Sequence, residues 1–434
     1  MLSGALAKWF GEADIEDTAM VGGKGASLGE MYQKLSGIGV KVPNGFTLTT
    51  EAFREFVNAE IPESTWDNVG NPEGIEDVRR RAIACSTLSS ALEVCLRDAD
   101  TSDHLGLNGR ASLARSLVRE TPVPESVKRA IGAEYSKLCD MYYPGVDVAV
   151  RSSATTEDSA EASFAGQYES YLNVSGESEI VEKWRRCVAS MFTERSVGYH
   201  LENDMHPLDS SIAVVVMKMA RSDKACSGVM FTIDPDSGHD GVIHIGSSYG
   251  LGELVVQGVV SPDTYTIWKE GLRMGKFPIV YRTLGGKEQM MVYNEESTNE
   301  VHTIQVSIDE RKKWSLSKDE CVSLAEMGLK IEDYFGMPMD IEWAKDGISN
   351  ELFIVQARPE TIHSKSSESK MMLYKIDEKL TSKLKKDGRV IAEGQAVGTR
   401  VGTGMVRLYR TYSEVVQGRR ELQGLIDTGL SPEE

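Results

Sequence analysis

Positive charge is in short supply in this chain. Its 434 residues carry 48 Lys and Arg against 66 Asp and Glu, a formal charge of −18. A broad nucleic-acid face or an acidic-membrane face needs a net basic surface, so neither nucleic acid nor membrane is an expected partner. A local basic pocket for an anionic substrate remains open. Paired cysteines are missing too. Cys85, Cys95, Cys139, Cys187, Cys226 and Cys321 include no Cys-x-x-Cys, and none lies beside a histidine at zinc-ligand spacing. They read as free, buried thiols of a reducing compartment. The start has no basic segment followed by an apolar run of signal-peptide length, and no stretch approaches the ~20 apolar residues of a membrane span. The expected location is the cytoplasm. A hydrophobic content of 41% and a charged content of 26% exclude a collagenous or mostly disordered chain. The length suggests two or three domains at roughly 150 residues each.

What is present is a mixture of helical and strand patterns. A short strand or turn is followed by the glycine-rich loop Val21–Ala26, then by a helix carrying Leu28, Met31 and Leu35. Phe46–Thr49 reads as a strand, and 51–140 as a helical region. Val146–Ser152 alternates as a strand, and 206–305 is β-rich, with apolar runs at Ile212–Met219 and Ser227–Ile233. Lys318–Tyr334 is an amphipathic helix, and strands at 339–345 and 351–357 close this part. Residues 363–387 are rich in Lys and Ser and read as a linker, and 388–416 return to short β patterns. The fold class expected is α+β.

Three constellations bear on chemistry. In the final hairpin, pairing Lys345 with Glu351 sets Asp340 opposite Gln356, Glu342 opposite Ile354 and Pro338 opposite Arg358. One face then holds Asp340, Glu342, Gln356 and Arg358, with Ile354 among them; the other holds Met339, Ile341, Trp343, Phe353, Val355 and Ala357. Carboxylates, an amide oxygen and a guanidinium on one face suit Mg²⁺ with a polyphosphate, or form only a solvated surface. The second constellation is Gly22-Gly23-Lys24-Gly25 before a helix, where backbone N–H groups and Lys24 can meet an anion. It lacks the Walker spacing, and a plain turn fits it as well. The third is Arg151 with the hydroxyl-rich loop after it and the stretch Ser163–Gln167. Val146, Val148 and Val150 share the inward face of that strand, so Arg151 leaves on the other face with Asp147 and Ala149. Parity cannot say whether that face lines a cleft or meets open water. Gly250-Leu251-Gly252-Glu253 and Gly285-Gly286-Lys287 read as turns, and Cys226 as a packed residue at a strand start.

These motifs occur together and in order. VGGKGASLGEM, VRSSATTEDSAEASFAGQYESYLNV, SGVMFTIDPDSG, GLGELVVQGVVSPDTY, RTLGGKEQMMVY and MPMDIEWAKDG with LFIVQARPET resemble the phosphoenolpyruvate synthase (pyruvate, water dikinase) family over about residues 8–410. The resemblance implies an ATP-grasp nucleotide-binding domain at 1–362, a linker at 363–387, and at 388–434 the incomplete start of a swivelling β/β/α phosphohistidine domain. It implies ATP as substrate, Mg²⁺ as cofactor and transfer of phosphate through a histidine to pyruvate. Carried over by position, Lys24, Arg151 and Arg358 contact phosphates, and Gly166 and Ser170 lie in the phosphate loop. Glu342 and Gln356 are the Mg²⁺ ligands, and Asp340 supports them.

Two departures qualify the resemblance. Met217 stands where the family usually has glutamine, in a segment that would line the adenine. No histidine of this sequence has the family's Gly-Gly-x-Thr-x-His context, and the pyruvate barrel is absent. The expectation is therefore a truncated or split ATP-binding half, with a partner chain supplying the phosphohistidine domain. The alternatives are the ATP-binding part of a related dikinase, such as a rifampin phosphotransferase, and a non-catalytic nucleotide-binding remnant.

Overall fold

A computed structural model describes residues 5–155, 168–294, 297–360 and 378–389. The chain divides into two compact units, Met1–Met371 and Met372–Glu434. Among the described residues the second unit contributes the helix Glu378–Lys386, inside the expected linker. The β-rich start expected at 388–434 lies outside the described residues from 390 onward, as does the expected boundary at 362.

The first unit is built on two antiparallel sheets. The first sheet contains β1 (Ala7–Trp9), β2 (Gly45–Leu48), β3 (Val148–Ala154), β4 (Ser170–Val174) and β5 (Ile212–Lys218), in the order β1-β2-β5-β3-β4. The second contains β6 (Cys226–Phe231), β7 (Val242–Tyr249), β8 (Asp263–Trp268) and β9 (Ile279–Thr283). A ribbon of β10 (Gln289–Asn294) and β11 (Ser297–Gln305) follows, and the hairpin β12 (Met339–Lys345) and β13 (Leu352–Pro359) completes the second sheet. Its order is β13-β12-β6-β7-β8-β9, so the hairpin is stitched into the sheet through β6. Every described pairing is antiparallel, and helices and sheets together make an α+β fold.

Strand β5 explains how two cores share one sheet. Its run Ile212–Lys218 is apolar at nearly every position because both faces are buried. Ile212, Val214 and Val216 pack with the helices of 50–141 and with Trp184, while Val215, Met217 and Met219 join the second core. Strand β3 divides likewise: Val148 and Val150 face the helical core, and Ala149 faces the second. The side-chain period of two is the cause.

Two expectations need correction. The segment Val21–Ala26 is a break rather than an extended loop: a short helical stretch from Thr18 ends at Gly22, whose φ of 71° and ψ of 171° leave the helical region, and a second helix runs from there to Lys34. The hairpin register also differs. Asp340 faces Arg358 and Glu342 faces Gln356, but Trp343 faces Ile354 and Lys345 faces Leu352. Val355 is the extra residue of a β-bulge, which resets the alternation. Ile354 is thereby fully buried beside Trp343, and Phe353 and Val355 are only partly buried, Val355 still packing against the second core.

Cys95, Cys187, Cys226 and Cys321 are buried free thiols, and Cys226 opens β6 as a packed residue. Gly285-Gly286-Lys287 is more than a turn. Lys287 and Asp263 form an ion pair with no solvent exposure on either side chain. Asp263 also accepts from the Gly285 and Ser315 backbone N–H groups and from the Ser315 hydroxyl, each at 2.8 Å. Replacing Lys287 by methionine strands that carboxylate, and equilibrium urea unfolding is expected to record a loss of about 3–5 kcal/mol.

Candidate functional site

A cavity of about 210 Å³ lies between the two sheets. One part of its wall is apolar, with Ala149, Leu172, Met217, Met219, Leu251 and Val256. The other part carries Arg151, Ser170, Glu253 and Glu342. Strand parity left two readings for Arg151, and the structure decides between them: its face of β3 lines this cleft.

Arg151 is the hub of the polar part. Its Nη2 donates to Glu342 Oε2 and to Gln356 Oε1, both at 2.8 Å, and its Nη1 donates to the Val355 carbonyl at 2.9 Å. That carbonyl belongs to the bulge residue, which has no partner opposite it in β12. The bulge thus turns out a backbone acceptor that a regular ladder would consume. Glu342 and Gln356 meet because they face each other across the hairpin. Ser170 reaches the same wall because it pairs with Arg151 across β3 and β4.

Further along the same hairpin face, Arg358 Nη2 and Nε donate to Asp340 Oδ2 at 2.8 and 3.0 Å. Burial pushes the Asp340 carboxyl above its ordinary pKa, and the Arg358 guanidinium pulls it back; Glu342 and Glu360 push it up as well. Glu253 is likewise raised by burial, with Arg151 acting against the shift. These effects describe one acidic cluster held in place by two guanidinium groups. Arg358 does not line the cavity itself.

Lys24 is buried on the helix Thr18–Lys34 and is also outside the cavity wall. Its neighbours tie it to the site from both sides. The Gly25 N–H donates to Ser153 Oγ at 3.0 Å, two residues beyond Arg151, and Ser27 Oγ donates to the Ala357 carbonyl at 2.7 Å, between Gln356 and Arg358. Met217 pairs with Ala149 and lines the apolar part. Gly166 lies outside the described residues. The structure therefore brings Arg151, Ser170, Met217, Glu342 and Gln356 to one place and sets Lys24 and Arg358 beside it.

Sequence reasoning passed over Lys218 and read Gly250–Glu253 only as a turn. Leu251, Gly252 and Glu253 form a cavity wall, and Lys218 lines it while donating to Asp346 Oδ2 at 3.2 Å. The signal in the sequence was the glycine pair; nothing local told which sheet it would face. Among the described residues, no three His, Cys, Asp or Glu side chains converge as a metal cage. Glu342 and Gln356 instead offer one carboxylate and one amide oxygen, a hard pair of the kind that holds Mg²⁺ together with substrate phosphates.

An α+β protein with a charged cleft between two antiparallel sheets is the class that the fold and site define. The profile of the family described as pyruvate phosphate dikinase, AMP/ATP-binding domain, matches residues 18–378. The chain belongs to this family. It is 40% identical over 426 residues to a phosphoenolpyruvate synthase of Synechocystis, covering 96% of this chain and 48% of that protein. Against the phosphoenolpyruvate synthase of Aquifex aeolicus identity is 40%, with 96% and 46% covered, and against that of Escherichia coli 37%, with 95% and 48% covered. The chain spans about half the length of the curated relatives it matches.

Gly22 is the residue on which the approach of the helix to β3 depends. A Cβ there would lie 2.0 Å from the Ser153 carbonyl oxygen, at a positive φ. Gly22→Ala is expected to lower stability by about 2–4 kcal/mol in denaturant titrations. Gly70→Ala, where a Cβ meets nothing within 4 Å, serves as the control and is expected to stay within about 0.5 kcal/mol of the parent.

Proposed function

We propose that the inter-sheet cavity binds Mg·ATP and that the chain is the ATP-binding half of a phosphoenolpyruvate synthase. The two sheets would be the two lobes of an ATP-grasp fold. The observation that carries this reading is the convergence of Glu342 and Gln356 oxygens on Arg151, 2.8 Å from each, at the polar end of an otherwise apolar cleft. An apolar wall suits a purine, and the Arg151 guanidinium suits its phosphates. Family membership supports the same assignment.

The overall reaction of such a synthase converts ATP, pyruvate and water to AMP, phosphoenolpyruvate and phosphate, by way of a phosphorylated histidine. In this chain the residues divide the work by chemistry. Arg151 is placed to hold a transferring phosphate and to stabilise its charge as the transition state forms. Lys24 and Arg358 add positive charge on either side. Ser170 offers a hydroxyl at the same wall, and Gly166, outside the described residues, would belong to the same phosphate-binding motif. Met217 gives the base an apolar contact without a side-chain amide. Glu342 and Gln356 would hold Mg²⁺, which supplies charge neutralisation on the phosphate oxygens when bound. Asp340 keeps Arg358 oriented through the two hydrogen bonds already described. Residues 388–434 would begin the swivelling phosphohistidine domain, and the acceptor histidine would lie outside these 434 residues, none of whose histidines has the family's signature context.

Calorimetric titration with Mg·ATP tests the reading. The parent chain is expected to bind, and Arg151→Ala and Glu342→Ala are each expected to weaken binding about 10–100-fold, the loss of one charge-assisted contact. Absence of saturable binding by the parent would overturn the proposal. With ATP and pyruvate supplied, phosphoenolpyruvate measured by a coupled assay is expected only after a second polypeptide carrying the histidine is added; its formation by this chain alone would refute the division of labour.

A further inference from the structure

Strand β4 has two faces, and Ser170 accounts for only one of them. The neighbours on either side of Ser170, Glu169 and Tyr171, turn the other way by the strand's period of two. They line a separate cavity of about 90 Å³ together with Arg115, Arg119, Arg186 and Ala189. Three guanidinium groups and one carboxylate therefore surround a small polar space, in a chain whose net charge is −18.

The existing contacts leave that positive charge only partly matched. Glu169 is engaged by the Arg115 guanidinium and by the Tyr171 hydroxyl. Burial and the adjacent Glu169 both raise the Tyr171 pKa, so the phenol stays a donor and adds no negative charge. Arg186 Nε donates to Glu182 at 2.8 Å, but Glu182 also serves Arg185. Arg119 makes no ion pair or hydrogen bond to any described residue. The Arg115 Nε is buried and has no hydrogen-bond partner among the described residues. A buried donor of this kind is costly unless something accepts from it.

We propose that this cavity is a second anion site, separate from the inter-sheet cleft, which takes a small tetrahedral oxyanion of the inorganic phosphate type. Planar guanidinium forks on several sides match such an anion with paired hydrogen bonds. The space holds several waters or one small oxyanion; at about 90 Å³, against about 210 Å³ for the inter-sheet cavity, it is too small for a nucleotide. The site is independent of the ATP reading, because it shares no lining residue with the larger cavity.

The test is calorimetric titration of the full chain with sodium phosphate at constant ionic strength, with chloride as the blank. Saturable phosphate binding is expected in the parent. Arg119→Ala and Arg186→Gln are each expected to weaken it about 10-fold or more. Arg273→Ala, which removes an exposed guanidinium paired with Asp333 and lining neither cavity, is expected to leave it within about twofold. Arg119→Lys, which keeps the charge and loses the fork, is expected to fall between parent and alanine variant. Far-ultraviolet circular dichroism checks the fold of each, and Arg119→Lys carries the test if the alanine variant does not fold. No saturable phosphate binding in the parent overturns the proposal. So does binding that survives the Arg119 and Arg186 changes yet disappears with Arg151→Ala, which would place the phosphate in the inter-sheet cleft.

Discussion

The Arg151 guanidinium is the contact on which the arrangement of the site depends. It stands on β3 of the first sheet, with its side chain only 12% exposed, and every hydrogen bond just described goes to the hairpin of the second sheet. A guanidinium removed from water costs several kcal/mol unless its donors are matched. Here a carboxylate, an amide oxygen and a backbone carbonyl match them together. The sheets therefore face each other in the register that suits these bonds, and the cleft between them is a consequence. An apolar contact would allow the sheets to slide; a planar, directional group does not.

The hairpin supplies its side of that contact through an irregularity. The bulge at Val355 leaves one carbonyl outside the ladder and resets the alternation, so that Ile354 enters the core beside Trp343. On the other side of the bulge Glu342 and Gln356 stay paired, Glu342 lining the cleft and Gln356 buried against Arg151. Strand irregularities of this kind commonly sit where a side chain or carbonyl must be aimed. The helix Thr18–Lys34 packs beside the site without lining the cavity, with Gly25 bonded to β3 and Ser27 bonded to β13, and the break at Gly22 permits the approach.

Charge in this protein is organised by place. An overall −18 says little about any one site. Arg151 and Arg358 stand among carboxylates at the cleft, while Arg115, Arg119 and Arg186 gather on the opposite face of β4. A single strand thus separates an acidic cluster bridged by arginines, beside the apolar slot, from a small space lined by three guanidinium groups and one carboxylate. Electrostatic attraction at short range and low dielectric outweighs the diffuse repulsion of distant surface acids, which solvent screens within about 10 Å at 0.1 M salt.

Much of the fold was legible in the linear order of residues. Apolar runs marked β5 and β6, amphipathic periodicity marked Lys318–Tyr334 of the helix that ends at Phe335, and the alternation of Val146, Val148 and Val150 placed Arg151 on the opposite face of β3. Those features follow from local rules: side-chain period, turn chemistry and the backbone freedom of glycine. The polar set Asp340, Glu342, Gln356 and Arg358 was legible for the same reason. Their register was not, because the bulge is set by pairing to β6 and by packing of Ile354, neither of which the hairpin sequence contains. Nor could the sequence tell that Gly250–Glu253 would form a cavity wall, that Lys287 would be fully buried against Asp263, or that Arg115, Arg119 and Arg186 would meet. Each of these joins residues from separate elements, and only the closing of the two sheets and their helices decides which of them share a space.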